Sequence, residues 1–160
     1  MSRPALGDRP ARWPHELAAE PAPDARLPPL RAIESLATRR ARLAEAALAR
    51  ARHAQALARQ ALEAARQALD ERVSFVASER ARLVVERQNS VEASTALKRW
   101  READQQLINS IPPCRALVAQ RQQALEAADL ALVRAQDEHR KRSKRREKFD
   151  MLIDTLIEEA

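Results

Sequence analysis

The sequence predicts an all-α protein: a long antiparallel two-helix coiled-coil hairpin preceded by a disordered, proline-rich N-terminal arm. Three observations support this prediction. The 160-residue chain has 32% charged residues, 2% aromatic residues and a single Gly, a composition typical of coiled coils and not of compact globules. Seven of the nine prolines lie within residues 1–29. Beyond them, residues 30–88 contain neither Gly nor Pro.

The N-terminal arm, residues 1–29, is predicted to be disordered, because repeated proline prevents helix and disfavours sheet. It contains Trp13 and the only Gly of the chain. One interpretation is a docking peptide anchored by Trp13 and Leu17. The other is a variable tail with no role in the rod. Residues 30–160 then form the coiled-coil domain.

The first predicted helix, residues 30–88, carries large apolar side chains at intervals of seven residues. They occur at Leu48, Leu62, Leu69, Val76 and Leu83, with Gln55 in the remaining slot. Small side chains follow the earlier members three residues later, at Ala51, Ala58 and Ala65. This a/d heptad predicts a coiled-coil seam in which two helices approach closely.

A second set of leucines in the same helix lies on a different phase of the seven-residue repeat. Leu36, Leu43 and Leu57 keep their own seven-residue phase. Because a shift in the phase of the apolar repeat changes the winding of a coiled coil, we expect a local change of supercoil before Leu48.

The hairpin turn is predicted at about residues 87–94, where the heptad loses its bulky members. Ser90 and Ala93 occupy positions that the seam would fill with large apolar side chains. Asn89 and Glu92 match a capping box, in which one residue caps a new helix and the other reaches back to its backbone N–H. A rival placement puts the turn at 110–113, but the nearly equal lengths of arms 30–88 and 95–158 favour the first.

The second predicted helix, residues 95–158, continues the same heptad through Pro112 and Pro113. Ile111 and Cys114 keep their seam phase on either side of the two prolines. An interior proline costs roughly 3 kcal/mol or more, because it removes a backbone hydrogen bond. We therefore expect a kink at 112–113, or two abutting helices, on one continuous seam.

The strongest charge feature is a basic run at residues 140–148. Its seven basic side chains and one acidic side chain carry a local charge of +6, which equals the net charge of the whole chain. The remaining charges therefore balance. His139, Arg142 and Arg146 fall on seam positions, and three groups of this size are not expected to pack there together.

An apolar face follows the basic run. It consists of Phe149, Leu152, Ile153, Leu156 and Ile157. A hairpin with its turn near residue 90 brings this face to Leu30, Ile33 and Leu36. The open end of the rod is thus predicted to carry an apolar clasp beside a basic collar.

The basic run is compatible with four kinds of surroundings. Clustered Arg and Lys neutralise the phosphates of nucleic acid, and they also bind an anionic membrane surface. An acidic cavity of a partner protein and a simple solvated helix end are the other two. Binding to single-stranded nucleic acid is disfavoured, because aromatic platforms for base stacking are missing from this region.

No arrangement of residues in the sequence predicts an enzyme, and we expect no catalytic, cofactor-binding or metal-binding residues. The three histidines lie far apart, with no metal-ligand spacing around them, and there is no Gly-rich phosphate loop. Cys114 is interpreted as a small seam residue. A single Cys and an N-terminus without an apolar signal core predict a cytoplasmic protein.

Two short stretches resemble a known family. Residues 97–108 read Leu-Lys-Arg-Trp-Arg-Glu-Ala-Asp-Gln-Gln-Leu-Ile, and residues 121–125 read Arg-Gln-Gln-Ala-Leu. Together with the size of the chain and its hairpin pattern, they resemble the type III secretion central-stalk coiled-coil family, the YscO/HrpO group related to flagellar FliJ. A Trp, a Gln pair and an apolar pair at the start of the second helix are similar to the flagellar member. The resemblance covers about residues 30–160.

The resemblance implies a non-enzymatic stalk or coupling component of a type III protein secretion apparatus. Its implied partners are the hexameric secretion ATPase, the inner-membrane export gate protein and, in some members, export chaperones. The implied location is cytoplasmic and peripheral to the inner-membrane apparatus, without direct membrane insertion and with no nucleic acid partner. The alternative functions are a basic coiled coil that binds nucleic acid and a self-assembling structural coiled coil.

The resemblance also implies two contact sites. The ATPase-pore contacts are the basic residues Arg140, Lys141, Arg142, Lys144, Arg145, Arg146 and Lys148. The export-gate or tip contacts are Trp100, Leu107, Ile108 and Ile111. Since Leu107 and Ile108 are adjacent, they cannot both point into the seam, and one of them is expected to contribute to an exposed apolar patch. The prolines at 112–113 depart from the uninterrupted helix of the family.

Overall fold

The computed structural model describes residues 24–89 and 94–159. Within them, α1 spans Leu27–Asn89, α2 spans Ser94–Asn109 and α3 spans Ile111–Glu158. Both α2 and α3 pack against α1. The fold is the long antiparallel coiled-coil hairpin that the sequence predicts, with α1 as one arm and α2 with α3 as the other. At a rise of 1.5 Å per residue, α1 is about 95 Å long.

The first helix begins at Leu27, ahead of the predicted start at residue 30. The backbone N–H of Leu27 donates to the carbonyl of Asp24 at 2.9 Å, and the Asp24 carboxylate accepts from the backbone and guanidinium of Arg26. These hydrogen bonds lower the pKa of Asp24. The predicted disorder is therefore wrong for residues 24–29, and residues 1–23, with Trp13 and Leu17, lie outside the described residues.

The two arms are joined between Asn89 and Ser94. This falls inside the predicted interval of 87–94, although residues 87–89 are still helical. Residues 90–93, which include most of the predicted capping box, lie outside the described residues. The rival turn at 110–113 is wrong, because α2 and α3 both run antiparallel to α1.

The second arm is broken at Ser110, so two abutting helices meet there. The backbone N–H and the hydroxyl of Ser110 both donate to the carbonyl of Leu107, at 3.1 and 2.6 Å. Pro112 and Pro113 then lie in the first turn of α3, where a missing N–H leaves no helical hydrogen bond unmade. The prolines thus start a helix instead of interrupting one, and Ser110 keeps helical dihedral angles, so the seam continues.

The seam follows the predicted a/d heptad of α1. Within the described residues, every buried side chain lies on α1 at an a or d position, namely Ala37, Ala41, Ala44, Leu48, Leu62, Ala65 and Val76. The predicted change of phase before Leu48 is wrong, because the same frame continues back through the three N-terminal alanines. Leu36, Leu43 and Leu57 are instead more than half exposed. They mark a second face of α1.

Polar contacts across the seam define the register of the two arms. Gln55 donates to the carboxylate of Asp129. Nearer the turn, the Arg80 guanidinium donates to the Asp104 carboxylate at 2.6 Å, and this hydrogen bond raises the pKa of Arg80. Because these pairs share one register, α2 and α3 continue a single arm past the break at Ser110.

We predict that Leu62→Ala destabilises the hairpin by about 2–3 kcal/mol, because Leu62 is only 4% exposed and its removal leaves a cavity in the narrow seam. The free energy of unfolding in urea, followed by circular dichroism, measures the effect. Leu130→Ala is the matched control, since Leu130 is 60% exposed and its truncation should change stability by no more than about 0.5 kcal/mol. Equal losses in the two variants would contradict the assigned seam.

Candidate functional site

The open end of the rod brings the start of α1 beside the end of α3. A groove there is lined by Ile33, Leu36, Ala37, Arg40, Arg142, Arg145 and Phe149. The Arg145 guanidinium lies 6.0 Å from the centre of the Phe149 ring, within range of a cation–π contact. The hydrogen bond to Asp24 raises the pKa of Arg26 at the start of α1, and the carboxylate of Glu159 at the end of α3 adds a smaller effect in the same direction. The predicted clasp and collar are thus brought together at one end.

The basic collar, residues 140–148, faces solvent on most of its circumference. Five of its seven basic side chains are exposed, namely Arg140, Lys141, Lys144, Arg145 and Lys148, and Arg142 and Arg146 are half-buried. These five residues occupy b, c, f and g positions, so they present positive charge over the outer side of α3 and not along one stripe. Such a distribution suits a partner that faces the whole outer side of this helix.

The half-buried cations of the collar are paired within α3. Arg142 donates to Glu138 at 2.6 Å. The Nε atom of Arg146 lies 3.7 Å from a carboxylate oxygen of Asp150, within ion-pair range but too far for a hydrogen bond, and this Nε atom is buried without a hydrogen-bond partner. These two arginines therefore belong partly to the seam, whereas the exposed cations of the collar are available to a partner.

His139, Arg142 and Arg146 lie at the edge of the seam and are not packed inside it. All three are half-buried, and Arg142 and Ala37 line the same groove at the open end. The facing stretch of α1 offers small side chains at its a and d positions, which leave room for long side chains from the other arm. Long basic side chains can cover such a surface with their aliphatic stems while the charged heads stay hydrated.

The apolar clasp closes only partly. Phe149, Ile153 and Leu156 are half-buried. Ile33, Leu36, Leu152 and Ile157 remain more than two-fifths exposed. Contiguous apolar surface of this kind is uncommon on isolated chains and typically marks a site of protein contact.

Trp100 is held in place by two contacts to α1. Its indole N–H donates to the carbonyl of Leu83 at 3.1 Å, and the Arg87 guanidinium lies 4.9 Å from the ring centre. Leu83 and Ala103 line a groove beside the ring. Trp100 therefore joins the two arms near the turn, in addition to any role as a contact residue.

The predicted tip residues do not lie at the turn itself. From Ser94, where α2 begins, Trp100 and Ile111 are about 9 and 25 Å along the arm at 1.5 Å per residue. Leu107, Ile108 and Ile111 are all half-buried. Neither Leu107 nor Ile108 is therefore fully exposed. The exposed apolar residues of this region lie on α1 instead, at Val73, Phe75, Val84 and Val85.

Sequence analysis missed Arg40 as a member of the open-end groove. Its spacing of four residues from Leu36 and seven from Ile33 places the three on one helical face. This spacing is visible in the sequence, but Arg40 lies outside the predicted seam and beside the phase of Leu36 and Leu43, so the heptad pattern assigns it no role. Arg40 extends the positive surface of the collar onto α1.

Within residues 24–89 and 94–159, no group of three or more His, Cys, Asp or Glu side chains is arranged to hold a metal ion. No described helix is both long enough and apolar enough to cross a membrane. Comparisons of the chain with protein-family models, with curated proteins and with solved structures give no match. The functional argument therefore depends on the surface of the rod.

We predict that Trp100→Phe loosens the end of the hairpin near the turn, because the variant keeps a ring but loses the hydrogen bond to Leu83. The expected loss is about 1 kcal/mol, typical of one such bond. Faster amide hydrogen exchange in residues 80–89 and 94–104 would report it. Exchange in residues 125–145 serves as the internal control and should not change. Unchanged exchange near the turn would show that Trp100 does not fasten the arms.

Proposed function

We propose that this chain is a non-enzymatic stalk or coupling subunit of a type III protein secretion apparatus, and that its open end enters the pore of the hexameric secretion ATPase. The observation that carries the proposal is the combination at that end of an exposed basic collar and a partly open apolar clasp. The resemblance of residues 97–108 and 121–125 to the central-stalk family points to the same function.

The shape of the molecule supports this proposal. A hairpin about 95 Å long and two helices wide can pass through a ring-shaped partner and still project from it. Exposed cations on several sides of α3 can meet acidic side chains on more than one subunit of a ring at once. The clasp at the extremity, with Phe149 and Ile33, supplies the apolar surface that a tight protein interface needs at its centre.

At the other end, the proposal assigns the export gate to the segment that contains Trp100, Leu107, Ile108 and Ile111. Trp100 and Leu107 hold this segment against α1, so the gate would contact a rigid, braced part of the rod. The neighbouring exposed residues Val84 and Val85 extend the apolar surface that is available there. Export chaperones are additional candidate partners at this end.

We predict that reversing the exposed collar charges with Lys141→Glu, Lys144→Glu and Lys148→Glu abolishes binding to the type III secretion ATPase of the same cell. Arg142 and Arg146 are left unchanged, because their pairing with Glu138 and Asp150 would confound a loss of binding with a loss of folding. Binding and ATP hydrolysis by the hexamer are measured at several salt concentrations. Each lost contact should weaken binding by about tenfold, or 1.4 kcal/mol, and less at high salt.

The matched control reverses three exposed cations near the turn, Lys98→Glu, Arg99→Glu and Arg101→Glu. It changes net charge by the same amount, so a general charge effect would weaken both variants equally and would contradict the collar assignment. Titration with duplex DNA separates the alternative function. If the chain binds DNA through the collar, with an affinity that falls steeply with salt, and does not bind the ATPase, its function is that of a nucleic-acid-binding coiled coil and not of a stalk.

A further inference from the structure

The second face of α1 is a mainly apolar stripe, most of which the other arm leaves exposed. Its residues occupy the c and g positions of the heptad whose a and d positions form the seam. They are Ile33, Leu36, Arg40, Leu43, Ala47, Arg50, Ala54, Leu57, Ala61, Ala64, Ala68, Glu71 and Phe75. Leu36, Leu43 and Leu57 are 53%, 62% and 51% exposed. The stripe has the composition of a second coiled-coil seam.

We propose that this c/g stripe binds the same stripe of a second copy of the chain, with the two α1 helices antiparallel. Spacings of four and three residues along the stripe repeat every heptad, which is the pattern that a partner helix recognises. The stripe therefore calls for a helical partner of matching length, and a second α1 supplies one. This inference does not rest on the proposed function. Because the stripe shares Ile33, Leu36 and Arg40 with the open-end groove, a chain in this dimer does not present that groove to the ATPase at the same time.

The order of large and small side chains is self-complementary in the antiparallel direction. With Ala54 of one copy opposite Leu57 of the other, Leu43, Arg50 and Leu57 each face an alanine, and Leu36 faces Phe75 at the end of the stripe. The resulting layers are Leu36–Phe75, Arg40–Glu71, Leu43–Ala68, Ala47–Ala64, Arg50–Ala61 and Ala54–Leu57. Alternation of large and small side chains is what lets two helices interdigitate closely.

The charged residues of the stripe fit the same register. Arg40 of each copy faces Glu71 of the other, which gives two ion pairs per dimer. In the described parts of the chain, no acidic side chain forms an ion pair with Arg40, and the Glu71 carboxylate accepts only a hydrogen bond from Gln67 at 3.3 Å. A parallel in-register pairing would instead place Arg40 against Arg40 and Arg50 against Arg50, which is unfavourable.

Both ends of the stripe border a groove that is open to solvent. Glu71 and Phe75 line one groove with Ala68, Arg72 and Cys114, and Leu36 and Arg40 line the groove at the open end. The two-fold axis of the proposed dimer brings these two ends together, as an isologous interface requires, because the same patch serves both partners.

The residues that flank the stripe on its solvent side are mostly uncharged. These f positions hold Arg39, Ala46, His53, Gln60, Gln67 and Ser74, of which only Arg39 carries a full charge at pH 7. Surface positions of a solvated coiled coil usually carry charges. A neutral flank avoids repulsion when two identical helices lie side by side, and this observation favours a second copy over a strongly acidic partner on this face.

Sedimentation of the purified full-length chain over a range of concentrations tests the proposal. The wild type is expected to show a reversible monomer–dimer equilibrium. The double variant Leu43→Glu/Leu57→Glu should dissociate at least about tenfold more readily, a change of 1.4 kcal/mol, because it would bury unpaired charge. Leu130→Glu/Val133→Glu, on the outer face of α3 and equally exposed at 60% and 53%, is the matched control and should dimerise as the wild type does.

Charge exchange tests the register. Arg40→Glu and Glu71→Arg should each weaken the dimer, and the combined variant Arg40→Glu/Glu71→Arg should restore it, since the ion pair is remade with its signs reversed. Circular dichroism confirms folding, because all the substituted side chains are exposed in the single hairpin. A wild type that stays monomeric, a dimer insensitive to Leu43→Glu/Leu57→Glu, or a combined charge variant without restoration would each overturn the proposal.

Discussion

The close approach of the two arms depends on the alternation of small and large residues along one seam. A two-helix rod has no other core, so its stability comes from packing along this narrow strip and not from helix propensity alone. Leu48, Leu62 and Val76 supply the bulk on α1, and alanine in the intervening layers allows the second arm to come near. The packing along this strip determines the register of the two arms and which side chains of each arm face solvent.

The same alanines determine what the open end can present. Opposite Ala37, Ala41 and Ala44, the second arm can place long basic side chains at the seam, because the alanines leave room for them. Arg142 and Arg146 occupy that space and pair with neighbouring carboxylates. Their placement anchors the collar to the rod, and the remaining cations point outward. A leucine seam at this level would have excluded the arginines, so the charge pattern and the packing pattern are coupled.

The heptad of α1 could be predicted from sequence because Leu48, Leu62 and Val76 repeat at seven residues over several turns. The frame before Leu48 could not, because the leucines there lie outside the seam and the alanines lie inside it. Hydrophobicity alone ranks leucine as the more buried residue, whereas burial here is decided by the size of the opposing side chains. The start of α1 and the break at Ser110 depend on individual hydrogen bonds, at Asp24 and Leu107, which a periodic pattern does not encode.

Of the candidate sites, the position of the collar could be predicted from sequence, but the division between paired and exposed cations required the register of the two arms.

The exposed leucines of α1 show the limit of a two-helix description. Leucine has a high helix propensity at buried and exposed positions alike. An exposed leucine therefore does not destabilise the helix, but it promotes association with other apolar surfaces. Leu36, Leu43 and Leu57 recur at multiples of seven residues, a regularity that scattered surface leucines would not show. Within the described residues, the other arm fully buries side chains of α1 only at a and d positions, and an ordered c/g stripe beside them therefore argues that a further helix packs on this arm.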